Sequence, residues 1–151
     1  MVVDNIVIGV ETLRDDVILP EFKQGNAGTD LRVITEDRHP VTIKPHTFHK
    51  FHTGIKLDIP EWYYVEVVPR SSTGVKKNLR LLNTKGVIDS TYKGEILLFV
   101  ENFGELPVTI ENNERLMQML LYKTYNITYK KVDSVGTSER GEGGFGSTGD
   151  K

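Results

Sequence analysis

The sequence contains no cysteine. That single absence removes disulfide frameworks, thiolate zinc sites and cysteine nucleophiles together, and it leaves the redox compartment undefined. No apolar run approaches the roughly 18 residues of a membrane-spanning helix. Neither sign of charge dominates, since 19 Lys and Arg stand against 21 Asp and Glu for a net charge of −2. A protein that holds nucleic acid by its overall field is thereby excluded, whereas a local cationic pocket for a small polyanion is not. The opening stretch carries Asp4 and no basic leader, so it does not read as a secretory signal. At 151 residues one core suffices, because a chain of this size buries roughly 70% of its unfolded surface. The expectation is a soluble intracellular protein of the cytoplasm (the nucleus or host cytoplasm for a viral one), with no nucleic-acid or membrane partner.

Helical periodicity is also scarce, and strand patterns take its place. Trp62–Val68 is a run of aromatic and β-branched residues that stops at Pro69. Ile96–Val100 is a short apolar run that fits a strand buried on both faces. Arg115–Tyr122 and Tyr125–Val132 add two more, with Gly25-Asn26, His39-Pro40, Ile59-Pro60, Gly104 and Asn112-Asn113 as turns between strands. Many short strands at near-regular spacing predict an all-β sandwich, jelly roll or barrel. The one helical segment is Ser71–Asn78, two turns at most, with Ser71 or Ser72 able to cap it and Lys76 and Lys77 suited to its last turn. From Ser134 the chain is glycine, hydroxyl and charge with almost nothing apolar but Phe145. The expected division is a β-barrel over 1–133 and a mobile C-terminal arm over 134–151.

Four features invite chemistry, each with a plainer alternative. In the arm, Gly141, Gly143 and Gly146 match G-x-G-x-x-G, but no helix can follow in the five residues that remain, so the dinucleotide pattern fails. A flexible tail without function is the plain alternative; against it, Arg140, Ser147, Thr148 and backbone amides can wrap a terminal phosphate. Phe145 between glycines can close over a flat base. At Pro69-Arg70-Ser71-Ser72, free N–H groups, hydroxyls and a guanidinium suit an anion, or merely an ordinary helix start. Within Gly86–Glu95, Asp89 between an apolar pair and an aromatic ring fits a general base, or equally a turn aspartate. His46, His49 and His52 invite a metal, yet on a strand His49 faces away from the others, so three solvated histidines are expected. Asn126-Ile127-Thr128 fits a glycosylation sequon and, without a secretory signal, reads as chance.

In order along the chain, these segments resemble the trimeric dUTP pyrophosphatase (dUTPase) family. Its motifs are matched by Ala27-Gly28-Thr29-Asp30-Leu31, by Pro69-Arg70-Ser71-Ser72 with Lys76, and by Asn83 with Gly86-Val87-Ile88-Asp89 through Tyr92-Lys93-Gly94-Glu95. Glu114-Arg115-Leu116-Met117-Gln118 and the glycine-rich Arg140–Gly149 complete the set. The resemblance implies a distorted jelly-roll barrel of the β-clip type, a homotrimer with shared active sites, and Mg²⁺-dependent hydrolysis of dUTP to dUMP and pyrophosphate. Such an activity limits uracil in DNA and supplies dUMP.

By this resemblance Asp89 activates the water that attacks the α-phosphorus and holds the sugar 3′-hydroxyl. Tyr92 packs on the deoxyribose and excludes a 2′-hydroxyl. Asn83 and the backbone of an Asn83–Ile88 hairpin, Gly86 and Ile88 included, read uracil and leave no room for a 5-methyl. Arg70, Ser71, Ser72 and Gln118 contact phosphates, and Asp30 acts through metal-bound water. The arm closes with Phe145 over uracil and Arg140, Ser147 and Thr148 on the γ-phosphate, Gly146 being a further substrate contact. Thr29, Ser72, Thr91, Lys93 and Met117 depart from the residues usual in the family, and none of them removes a proposed catalytic group. Two alternatives are a dCTP deaminase of the same fold, which needs a glutamate where Phe99 stands, with Glu101 nearby, and a nucleotide-dependent regulatory binding protein.

Overall fold

A computed structural model of the chain describes residues 5–144. The strands are β1 (Gly9–Thr12), β2 (Thr29–Arg32), β3 (Val41–Ile43), β4 (Phe48–His52), β5 (Ile55–Asp58) and β6 (Tyr63–Pro69). After helix α1 (Ser71–Lys77) come β7 (Leu79–Leu81), β8 (Gly86–Asp89), β9 (Leu97–Asn102), β10 (Val108–Ile110) and β11 (Arg115–Lys123). All ladders are antiparallel, in the orders β1-β5, β3-β10, β2-β11-β6-β8 and β4-β9-β7. Among the described residues, no two strands consecutive in sequence pair with each other. The chain crosses from sheet to sheet at almost every connection, which is jelly-roll-like topology rather than a meander of hairpins. No helix among the described residues is long and apolar enough to cross a membrane.

The core is a single cluster that includes Val33, Phe51, Ile55, Val65, Leu79, Leu98, Val100 and Leu116, all buried. Strand alternation builds it: along β6, Val65 and Val67 point inward while Tyr64, Glu66 and Val68 do not. β11 breaks the period. Its register against β2 shifts between Arg115 and Met117, a bulge that lets the consecutive Leu116 and Met117 both be buried. The bulge also re-aims the next side chain, so that Gln118 leaves the core.

The helix begins differently from expectation. Arg70 occupies the N-cap position and no side chain caps it, so neither Ser71 nor Ser72 plays that role. The turn is anchored instead from β11: the carbonyl of Leu116 accepts the Arg70 N–H at 3.2 Å and also the hydroxyl of the buried Thr73. Asn78 ends the helix in the left-handed region, at φ 54°, and its N–H bonds the carbonyl of Gly74. Lys76 and Lys77 lie in the last turn as expected, with Lys77 paired to Glu114.

Three further expectations need correction. β9 is not buried on both faces: Leu98 and Val100 are inside, but Leu97 and Phe99 are 38% and 40% exposed. Residues 83–88 do not form a hairpin, because β7 pairs with β9 while β8 pairs with β6, and the segment links two sheets. Tyr125–Val132 forms no ladder. Its alternating apolar side chains are left outside, with Tyr125 74%, Ile127 63% and Tyr129 92% exposed.

Candidate functional site

The four-stranded sheet β2-β11-β6-β8 positions nearly all the candidate residues, and it separates them into two groups. The first sits where β2, β11 and the end of β6 meet. Asp30 on β2 lies opposite Gln118 on β11, and Gln118 lies opposite Val68 on β6. Arg70 follows that strand directly. Asp30 Oδ1 accepts from Arg70 Nε at 2.7 Å, and Oδ2 accepts from Arg115 Nη1 at 3.1 Å. Arg70 Nη1 also donates to the Arg115 carbonyl at 3.2 Å, and Gln118 Nε2 to the Pro69 carbonyl at 3.2 Å. Ser71 and Ser72 open the helix beside this group.

The result is a cationic rim around one carboxylate, facing an open cleft lined by Glu21, Lys23, Asn26, Gly28, Arg115 and Gln118. Gly28 is required there, because a Cβ would stand 2.8 Å from Leu120 and 3.0 Å from Gln118 Oε1. Two guanidiniums, a lysine and amide donors gathered at one cleft, whose carboxylates are Asp30 and Glu21, favour an anion with several oxygens. Arg115 received no role from sequence, although it lies within the fourth motif. Its importance comes from the pairing of β11 with β2, which no local pattern reveals.

The second group lies at the other end of β6. Asp89, the last residue of β8, is opposite Tyr64, and its carbonyl accepts the Tyr92 N–H at 3.0 Å to close a turn. Gly86 brings β8 close to β6, where a Cβ would meet that of Val67 at 3.3 Å. Ile88 is half-buried against the core, and Asn83 is exposed in the link before β8. Tyr92 donates its hydroxyl to the Glu95 carbonyl at 2.8 Å, and Lys93 pairs with Asp58 at 2.6 Å. Nearby, Glu66 bonds Lys85 and holds its ammonium above the usual lysine range.

These two groups do not meet. Tyr64 and Arg70 are six positions apart along an extended strand, which places Asp89 and Arg70 about 20 Å from each other. Arg140 reaches neither group, since its Nε donates to the carbonyl of Gly143 within its own turn at 2.7 Å. Phe145, Gly146, Ser147 and Thr148 lie outside the described residues.

The three histidines make different contacts. His46 faces Glu105 at 3.2 Å, and His52 faces Glu95 at 2.8 Å. His49 packs edge-on against Phe51, where burial lowers its pKa. Among the described residues no group of three His, Cys, Asp or Glu side chains could cage a metal. Glu101 and Phe99 share one face of β9, and Glu101 is held by Arg80 at 2.7 Å.

Comparison with known proteins gives a consistent result. The family model for dUTPase matches residues 16–149. A deoxyuridine 5′-triphosphate nucleotidohydrolase of Fusobacterium nucleatum is 38% identical over 144 residues, covering 94% of this chain and 97% of the relative. The enzyme of that name from Chlamydia pneumoniae is 41% identical over 133 residues, covering 87% and 90%. Among solved structures, the dUTPase of Staphylococcus bacteriophage 80alpha with dUpNHpp superposes with a TM-score of 0.84 at 24% identity, over 95% of this chain and 98% of that one. A dUTPase variant from phage phi11 of S. aureus, described for its coordination of a structural Mg(II) ion, gives 0.75 at 19% identity, over 85% and 98%.

Proposed function

The chain belongs to the dUTPase family, and on that premise we propose that it hydrolyses dUTP to dUMP and pyrophosphate. The observation that carries this reading is the cluster of Asp30, Arg70, Arg115 and Gln118, in which two guanidiniums and an amide are gathered at one carboxylate. In a protein of net charge −2, attraction for a polyanion has to be built locally, and this cluster is where it is built.

Asp89 takes the proton of a water molecule as that water attacks the α-phosphorus. The new bond is from the water oxygen to the α-phosphorus, and the bond to the α–β bridging oxygen breaks, releasing pyrophosphate. Asp89 also accepts from the sugar 3′-hydroxyl, which fixes the nucleotide over the general base. Tyr92 forms the wall against the deoxyribose and has no space for a 2′-hydroxyl. Asn83 with the backbone at Gly86 and Ile88 reads the uracil edge. Arg70, Ser71, Ser72 and Gln118 hold the phosphates. From the arm, Phe145 covers uracil while Arg140, Gly146, Ser147 and Thr148 close on the γ-phosphate.

A magnesium ion fits these residues in one specific way. Asp30 already has both oxygens paired to arginines, which suits an ion held mostly by substrate phosphates and water rather than by the protein. When bound, Mg²⁺ supplies charge neutralisation along the triphosphate, and Asp30 would hold it through water.

The separation of Asp89 from Arg70 supports a site assembled from more than one chain. The attacked phosphorus must lie within one water of Asp89, and the phosphate donors must touch oxygens on or next to that phosphorus. Six strand positions, about 20 Å, are too many for one chain to do both. A homotrimer with shared sites meets the requirement.

The direct test is pyrophosphate release measured side by side with dUTP, UTP, dTTP and dCTP. Turnover of dUTP with little use of the other three is expected. Release of ammonia from dCTP without pyrophosphate from dUTP would replace this reading by a deaminase.

A further inference from the structure

One carboxylate outside the proposed chemistry is held at more points than a surface turn requires. Glu95 comes directly after the Asp89–Gly94 turn, with a side chain only 19% exposed. Its Oε1 accepts the backbone N–H of Gly54 at 2.8 Å. Its Oε2 lies 2.8 Å from His52 Nδ1, and since a carboxylate only accepts, that nitrogen carries the ring proton. The next residue is tied to the same place: the Ile96 N–H donates to the Ile55 carbonyl at 3.0 Å and the Thr53 hydroxyl to the Ile96 carbonyl at 2.7 Å. Gly54 itself is fixed, with φ at 68° and Val17 so near that a Cβ would meet it at 2.6 Å. Glu95 is therefore clamped to a rigid link between β4 and β5.

The clamp in turn holds Tyr92. The tyrosine hydroxyl donates to the Glu95 carbonyl at 2.8 Å. Its ring lies so close over Gly94 that a Cβ there would meet the phenolic oxygen at 2.5 Å and Cζ at 2.7 Å. Tyr92 is 44% exposed, so these few contacts beneath it set its position.

We propose that Glu95, with His52 as its partner, is a positioning residue that sets the sugar selectivity of the site by fixing Tyr92. This rests on the reading that Tyr92 walls off the 2′ position. Rejecting one added hydroxyl by contact demands a wall that does not yield, and a side chain is only as rigid as the groups that support it. Asp89 stands at the start of the same turn, so sugar and water are placed from one anchored segment.

The test is kcat and KM for dUTP and UTP in the wild type, Glu95→Ala, Glu95→Gln and His52→Ala. Glu95→Ala should lower the dUTP-over-UTP ratio of kcat/KM about tenfold, within the range that a small change in a contact pocket produces. Glu95→Gln keeps an oxygen for the Gly54 N–H and should recover most of that ratio. His52→Ala alters a half-exposed residue of an edge strand, should fall between the two, and gives the answer even if the alanine variant of Glu95 does not fold. A loss of activity equal for both substrates would show a contact that merely supports the fold, and it would overturn the proposal. So would a Gln variant as unselective as the Ala variant. A wild type that uses UTP as readily as dUTP would instead defeat the reading of Tyr92 itself, before any variant is compared.

Discussion

Mixing two damaged forms of the protein should restore activity that neither possesses. Asp89→Asn removes the proposed general base, a loss of about 10²–10⁴ in rate for such a group. Arg70→Ala removes the guanidinium that anchors the phosphate cluster and leaves Asp30 with one arginine partner in place of two. Within one chain these residues are six strand positions apart, about 20 Å, so each complete site should draw Asp89 from one chain and Arg70 from another. A site in a mixed assembly is intact when its Asp89 comes from an Arg70→Ala chain and its Arg70 from an Asp89→Asn chain. With random assembly into a closed ring at equal proportions, that combination arises in about one quarter of sites. Co-refolded mixtures should therefore release pyrophosphate at about one quarter of the wild-type rate per site, varying as x(1 − x) in the mole fraction x of one variant. A mixture whose activity lies on the straight line between its two parents would refute the shared site, and with it the separation of Asp89 from Arg70 as its cause.

The Asp89→Asn protein should still bind a non-hydrolysable dUTP analogue, because the amide keeps a hydrogen-bonding oxygen for the sugar; calorimetry that finds no binding would count against a role in catalysis alone. Phe145→Trp should change fluorescence when that analogue is added, and an unchanged spectrum would remove the stacking role of the arm. The Asp16 carboxyl is held below the usual range by the hydrogen bonds of Arg14 first, with Arg38 adding to them against partial burial. Its folded-state pKa is depressed, so its contribution is complete above the ordinary aspartate value of about 3.9 and is lost as pH falls through the lowered folded value. Asp16→Asn should accordingly lower the melting temperature near neutral pH and not at strongly acid pH, and a gap that persists in acid would contradict the linkage.

Local chemistry was the legible part of this chain. The Pro69-Arg70-Ser71-Ser72 helix start and the strand that carries Gln118 stand where their residue types suggested, because each is specified within a few positions. The strands at Trp62–Val68, Ile96–Val100 and Arg115–Tyr122 were legible for the same reason, since a run of aromatic and β-branched residues is a property of neighbours, whereas Tyr125–Val132, which alternates as well as any strand, forms none. Pairing was not, because every ladder joins strands distant in sequence, and loop-closing partners leave no trace in a local pattern. The hairpin at 83–88 that the resemblance implied differs on this point, since β7 pairs with β9 and β8 with β6. Arg115 was missed because its role follows from a register, and Glu95 because its partners Gly54 and His52 lie some forty positions away.

The exposed apolar side chains carry more meaning than the errors about pairing. Ile96–Val100 and Tyr125–Val132 both have the apolar content of covered strands, and both leave aromatic or aliphatic side chains exposed in the single chain. A sequence selected for solubility as a lone barrel would not place Phe99 and Leu97 outward on one strand and Tyr125, Ile127 and Tyr129 along an unpaired segment. The same single chain also leaves its proposed general base and its phosphate cluster at opposite ends of β6. In the proposed homotrimer, neighbouring copies that cover the apolar segments would also bring Asp89 of one chain to Arg70 of the next, so that one assembly would account for both the apolar surface and the divided site.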